Sequence, residues 1–326
     1  MESESFFMTD WMGKPAWMWL GFLVVVALLM ILDLGVLHRD SKIIGVRQSL
    51  VMCAGYTLCA LLFGAGLGWM LGGPSSLLYI TGYVVEFSLS LDNVFVMALI
   101  ISAFKIPRAL QHRVLFWGIL GAIILRGIMI LAGAALVQEF HWVLYLFAAF
   151  LVVTGIKMLV TKEEEEKVDL KHNRLLTFLR TYGRVTDELH GDRFFVRIKD
   201  QVTGKMARYM TPLMLALILI EVADVVFAVD SVPAIFAITT DPYLVFTSNI
   251  LAIMGLRSLY FALSALMERF AYLKYALALV LIFIGGKIGV AGFGIHIEEV
   301  TSLLITVSLL GGGMAFSWWK TARSGA

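Results

Sequence analysis

The chain has 326 residues, 60% hydrophobic and 15% charged, with mean hydropathy +0.87 and a formal net charge of +2. Apolar stretches longer than the ~18 residues that cross a bilayer recur along it, which excludes a soluble protein and makes the lipid bilayer its first partner. The small net charge carries no signal for nucleic acid, because the basic residues follow membrane topology. The expected class is all-α, a polytopic membrane protein; a barrel would show short alternating strands instead.

Nine spans are expected in chain order, at 17–37, 48–71, 76–104, 112–137, 141–160, 210–238, 243–266, 272–291 and 299–319. The N-terminus lacks a basic n-region, so no cleavable signal peptide is expected. Arg39, Lys42 and Arg47 follow span one, Lys105, Arg108 and Arg113 follow span three, and the 161–208 stretch is rich in Lys and Arg. Arg269 and Lys274 follow span seven, and Lys320 and Arg323 close the chain. The intervening connections, near 72–75, 138–141, 239–242 and 292–299, hold neither Lys nor Arg. Positive loops on alternate sides place the N-terminus outside and the C-terminus in the cytoplasm. The two cysteines, Cys53 and Cys59, fall in span two at no zinc or redox spacing and read as packing residues.

An internal repeat sets spans 3–5 against spans 6–8. Phe140, Tyr145, Ala148, Leu151, Gly155 and Lys157 match Phe270, Tyr275, Ala278, Leu281, Gly285 and Lys287. Upstream, Leu125-Arg126 matches Leu256-Arg257, and Glu86 and Asp92 match Asp224 and Asp230, each pair six apart. A unit with an odd number of spans must return inverted. Inverted repeats with polar residues in corresponding helices point to a secondary transporter with its site at the repeat interface. The chain then divides into an N-terminal pair of spans (1–75), a first three-helix repeat (76–160), a cytoplasmic loop (161–209), a second, inverted repeat (210–291), and a final span with its tail (292–326). In the loop, Phe194–Ile198 and Val202–Tyr209 flank Gly204 as a small hairpin would, and the run Glu163–Glu166 reads as a solvating acidic block.

Spans three and six carry Glu86, Asp92, Glu221, Asp224 and Asp230 inside apolar runs. A carboxylate at mid-membrane costs about 2.5–3.5 kcal/mol on insertion scales, so five of them need an offsetting role. Buried salt bridges to Arg126, Arg257, Lys157 and Lys287 would supply one; an oxygen site for a passing cation would supply another. Neither acidic stretch has His or Cys, so carboxylates, Asn93, Ser90, Ser231 and carbonyls are the donors on offer. That set suits Mg²⁺, Ca²⁺ or Mn²⁺ and does not choose among them. On a straight helix these acids do not all share one face, and Pro233 is expected to kink span six beside Asp230, freeing a carbonyl. Arg126 and Arg257 fall mid-span, where they would neutralise the acids when no ion is bound or compete with the ion in gating. Asp33 is a peripheral candidate, and Met97 reads as packing.

These stretches, GYVVEFSLSLDNVFV (82–96), TPLMLALILIEVADVVFAVDSVPAIFAITTDP (211–242) and the Gly255-Leu256-Arg257 segment, resemble the TerC family, particularly its Alx-like branch. The resemblance covers nearly the whole chain. It implies a bacterial inner-membrane fold of the LysE-like transporter type, a role in metal homeostasis, and manganese export, with Glu86, Asp92, Glu221, Asp224 and Asp230 as the family's acidic positions and Asn93 adjacent. One position departs: the family usually places Lys directly after the first Glu, and this chain has Phe87. The expectation is a Mn²⁺ exporter working by alternating access, with H⁺ as a counter-ion, no prosthetic group and no enzymatic activity. A metal-binding membrane sensor or assembly partner, docking through the 161–209 loop and delivering metal to exported proteins, is the alternative. The pattern sets no oligomeric state.

Overall fold

A computed structural model of the protein describes residues 9–37, 46–140, 142–160, 184–186, 188–199, 206–263, 273–291 and 297–324. Among them are ten helices: α1 (Ala16–Leu37), α2 (Val46–Leu71), α3 (Gly73–Ala103), α4 (Arg108–Glu139), α5 (Val143–Val160), α6 (Pro212–Phe236), α7 (Pro242–Met254), α8 (Leu256–Leu263), α9 (Leu273–Ala291) and α10 (Glu299–Ser324). Among the described residues, six helical stretches are long and apolar enough to cross a membrane: Arg47–Leu71, Arg108–Glu139, Val143–Val160, Pro212–Phe236, Pro242–Ala262 and Val300–Ser317. Ala16–Leu32 and Tyr275–Ala291 are shorter apolar helices. The protein is thus a multi-pass helical membrane protein whose exposed Leu, Val and Trp side chains on α1, α2, α5 and α10 face lipid.

Local chemistry sets the helix ends. Gly72 alone separates α2 from α3, at φ 92, and Pro74 opens α3 where a missing N–H costs nothing. At the far end of α3, Lys105 N–H reaches Ser102 O (2.9 Å) and Ile106 N–H reaches Ile101 O (3.1 Å), with Lys105 at φ 51. This Schellman stop turns the chain into α4. Asp241 caps α7, its Oδ1 accepting from the N–H groups of Tyr243 (2.9 Å) and Leu244 (3.3 Å), with Pro242 at the first helical position. The helix α6 runs through Pro233 and ends one turn later at Phe236. Neither α3 nor α6 is interrupted near its acids, so the expected local breaking is not what gathers them. The interruption falls instead at Gly255, between α7 and α8.

The core is built from crossed pairings: α3 packs on α7, α4 on α6, and α5 on α9. Along the last pair a Cβ on Gly155 would lie 2.7 Å from Ala278 O and 2.7 Å from the Ile282 side chain. A Cβ on Gly285 would lie 2.6 Å from Ala148 O and 2.9 Å from the Val152 side chain. The contact is reciprocal, position for position.

Two small hairpins flank the bundle. Strands β1 (Asp10–Trp11) and β2 (Lys14–Pro15) pair antiparallel around Met12 (φ 51) and Gly13 (φ 82), a two-residue turn with both φ positive. Nothing in the sequence pattern announced this element. Trp19 Nε1 donates to Trp11 O (2.9 Å), Met12 packs against the core, and Lys14 Nζ lies 2.8 Å from Asp241 Oδ2. Replacing Lys14 with Met should cost no more than about 1 kcal/mol, because the ion pair is partly solvated. Asp241→Ala removes the α7 cap as well and should cost about 1–2 kcal/mol. Thermal melts of the two variants test this, and equal losses would contradict the separation of roles.

The second hairpin, expected from the sequence, is present: β3 (Phe195–Lys199) pairs antiparallel with β4 (Met206–Met210), Phe195 opposite Met210. The turn expected at Gly204 and the acidic run 163–166 lie outside the described residues. Thr211 joins β4 to α6; its N–H donates to Phe194 O (3.0 Å) and its Oγ1 to Arg193 O (2.8 Å). Arg113 of α4 forms an ion pair with Asp192, and its guanidinium lies over the Phe194 ring.

Candidate intramembrane ion site

On α3, Glu86, Ser90 and Asn93 stand at i, i+4 and i+7, one stripe of an α-helix, and all three are buried. On α6, Asp224 and Ser231 are likewise seven apart and buried. Arg126 comes from α4, fully enclosed, between the two stripes. Its planar fork holds Asp224 with two parallel bonds, Nε to Oδ2 at 2.9 Å and Nη2 to Oδ1 at 2.7 Å. Nη1 bonds Glu86 Oε1 and reaches Ser231 Oγ at 3.4 Å. Asn93 Nδ2 completes the cluster, donating to Asp224 Oδ1 at 3.3 Å.

Two carboxylates therefore share one guanidinium, leaving an excess negative charge in a buried place. Among the described residues, Glu86 Oε2, Asn93 Oδ1 and Ser90 Oγ have no hydrogen-bond partner, nor does Glu221 Oε2. Native interiors seldom leave such oxygens unsatisfied. Excess negative charge beside orphaned oxygens is what a hard cation would complete. Glu221 lies against α4 at Gly121, where any Cβ would collide with its carboxylate, so that glycine forms the bay that admits it. Sequence reading missed Gly121, whose only signal is that it lies five residues before Arg126.

The other expected site residues fall as follows. The side chains of Asp92, Asp230 and Asp33 lie outside the described residues. Arg257 is buried on α8, which packs against α2, α3 and α4. Lys157 is exposed in the last turn of α5 and Lys287 is half-buried on α9, so the cluster takes its cation from α4. Phe87 stacks on Tyr83 with ring centroids 5.9 Å apart, a packing role for the position where the family resemblance implies Lys. Met97 is core, as expected. Among the described residues no three acid, His or Cys side chains gather as a metal site; the acids meet the guanidinium instead.

Comparison with known proteins places this architecture. Residues 71–325 match the Integral membrane protein TerC family. The chain is 43% identical over 312 residues to Uncharacterized membrane protein STKORF319 of Myxococcus xanthus, covering 96% of this chain and 95% of the relative. It is 43% identical over 320 residues to a protein of Escherichia coli (strain K12) named provisionally as the membrane-bound redox modulator Alx, covering 95% and 97%. It is 43% identical over 316 residues to the protein of the same name from Photorhabdus laumondii, covering 94% and 96%. No solved structure matches it. With acid motif, buried arginine and end-to-end similarity in agreement, the chain belongs to the TerC family of integral membrane proteins.

Proposed function

We propose that the protein is a transporter that exports a divalent cation, manganese, across the bacterial inner membrane by alternating access between two inverted three-helix units. The observation that carries this is Arg126 clasped by Glu86 of α3 and Asp224 of α6, residues that occupy matched positions in the two units. The guanidinium sits between the acids as an internal stand-in for the cargo, and an arriving cation competes with it for both carboxylates. Release of Arg126 then frees α4 to move against α6. The reciprocal seating of Gly155 and Gly285 supports reading the units as inverted copies, with nine spans, the N-terminus outside and the C-terminus inside. Proton exchange at the carboxylates is the coupling this reading favours, since the site is closed to bulk water. Oxygen donors suit manganese, magnesium and calcium alike; the choice of manganese follows the family resemblance. A thiol role gains no support from geometry. Cys53 and Cys59 are six residues apart on α2, about 9 Å along the axis, beyond disulfide reach.

The test is Mn²⁺ flux in proteoliposomes, wild type against Glu86→Gln, Asp92→Asn, Asp224→Asn and Asp230→Asn, with Mg²⁺ and Ca²⁺ as competitors. Flux in the wild type, falling to background in variants that insert and fold, is the expected result. Metal binding without flux in the wild type would replace transport with sensing or delivery, and loss of function on deleting the 161–209 loop would then follow.

A further inference from the structure

The helix α7 is buried on every side, including Asn249, which is fully enclosed. Among the described residues, both amide atoms of Asn249, Nδ2 and Oδ1, lack a partner. An amide stripped of water on both ends is costly, and neither lipid nor solvent reaches this one. Its direction follows from its neighbours. Ser248 Oγ lies 3.0 Å from where a Gly82 Cβ would sit, so Ser248 faces α3. The Phe246 ring lies 3.3 Å from the corresponding point of Gly127, so Phe246 faces α4. At about 100° per residue, Asn249 points about 100° from Ser248 and about 60° from Phe246, inside the arc between them. It is aimed into the groove between α3 and α4. Gly82 is one turn from Glu86, and Gly127 adjoins Arg126, so the groove at this level is the wall of the ion cluster.

We infer that Asn249 is a further ligand of the cation site, its Oδ1 a neutral oxygen that α7 supplies to a divalent ion held by Glu86 and Asp224. This rests on the transport reading above and extends it. Two carboxylates already balance a divalent charge; hard cations need six or more oxygens, and those beyond the carboxylates must add coordination without adding charge. Asn249 fills that role from the wall opposite Glu86.

The test is equilibrium Mn²⁺ binding to the full-length protein in detergent, read from the loss of the free-ion paramagnetic resonance signal. Asn249→Leu should bind about tenfold or more weakly. Asn249→Asp should bind more tightly than wild type and turn over more slowly in liposomes. Wild-type binding with Asn249→Leu within about twofold of it would overturn the assignment and leave the transport reading standing. If Asn249→Leu fails to fold, Asn249→Asp decides, and unchanged affinity there also overturns it. A wild type that binds none of Mn²⁺, Mg²⁺ and Ca²⁺ would remove both readings together.

Discussion

Replacing Arg126 with Met should destabilise the protein by about 3–5 kcal/mol in metal-free buffer, because Glu86 and Asp224 are left buried against each other without a counter-charge. The loss is large because the arginine makes four polar contacts in a place sealed from water. Two controls separate charge from packing. Adding Glu86→Gln and Asp224→Asn to Arg126→Met removes all three charges and should restore most of the melting temperature, as neutralised buried triads do. Millimolar Mn²⁺ should rescue Arg126→Met alone, since a ligand at 100 times its Kd stabilises by about 2.7 kcal/mol, and should do nothing for the triple variant. Thermal melts with and without metal decide it. Arg126→Met melting like the wild type in chelator, or no metal rescue, would end the view of the guanidinium as the cargo's stand-in.

The second large effect is expected where α5 meets α9. A single methyl on Gly155 would be pushed into Ala278 O, and one on Gly285 into Ala148 O. Backbone carbonyls cannot swing aside as a side-chain end can, so the helices must part. Gly155→Ala and Gly285→Ala should each cost about 1–3 kcal/mol. Their equal seating predicts near-equal losses. The double variant should lose less than the sum, because helices already parted by one methyl accommodate the other. Unfolding measured in bicelles tests all three, and a harmless methyl at one of the two sites would break the symmetry argument.

What the sequence disclosed, and what it hid, divide along physical lines. Burying charge in a bilayer is so unfavourable that Glu86, Asp224 and Arg126 declared themselves from composition alone, and the geometry brings these three together. Which partner each would choose was hidden, since a helical wheel fixes a residue's direction on its own helix and nothing about the neighbour. Lys157 and Lys287 were equal candidates by charge, yet they belong to α5 and α9, while the arginine that the acids share belongs to α4. Pro233 was expected to kink its helix and free the Val229 carbonyl; the helix runs through it and ends three residues later at Phe236. The hairpin of β3 and β4 was legible through its alternation and turn residues. The one at Asp10–Pro15 has two-residue strands, too short for any period to show. Gly121 and Asn249 were invisible for a different reason: a glycine that makes room, and an amide that lacks a partner, acquire meaning only when the facing helix is in place.

Strand β4 ends at Met210 and α6 begins at Pro212, and the one residue between them is tied down to Arg193 and Phe194. The hairpin and the helix that carries Asp224 therefore share one joint, covalent through Thr211 and hydrogen-bonded back to β3's approach. Under the transport reading proposed above, a nanobody gripping Arg197 and Lys199, both exposed on β3, would slow flux by holding that joint.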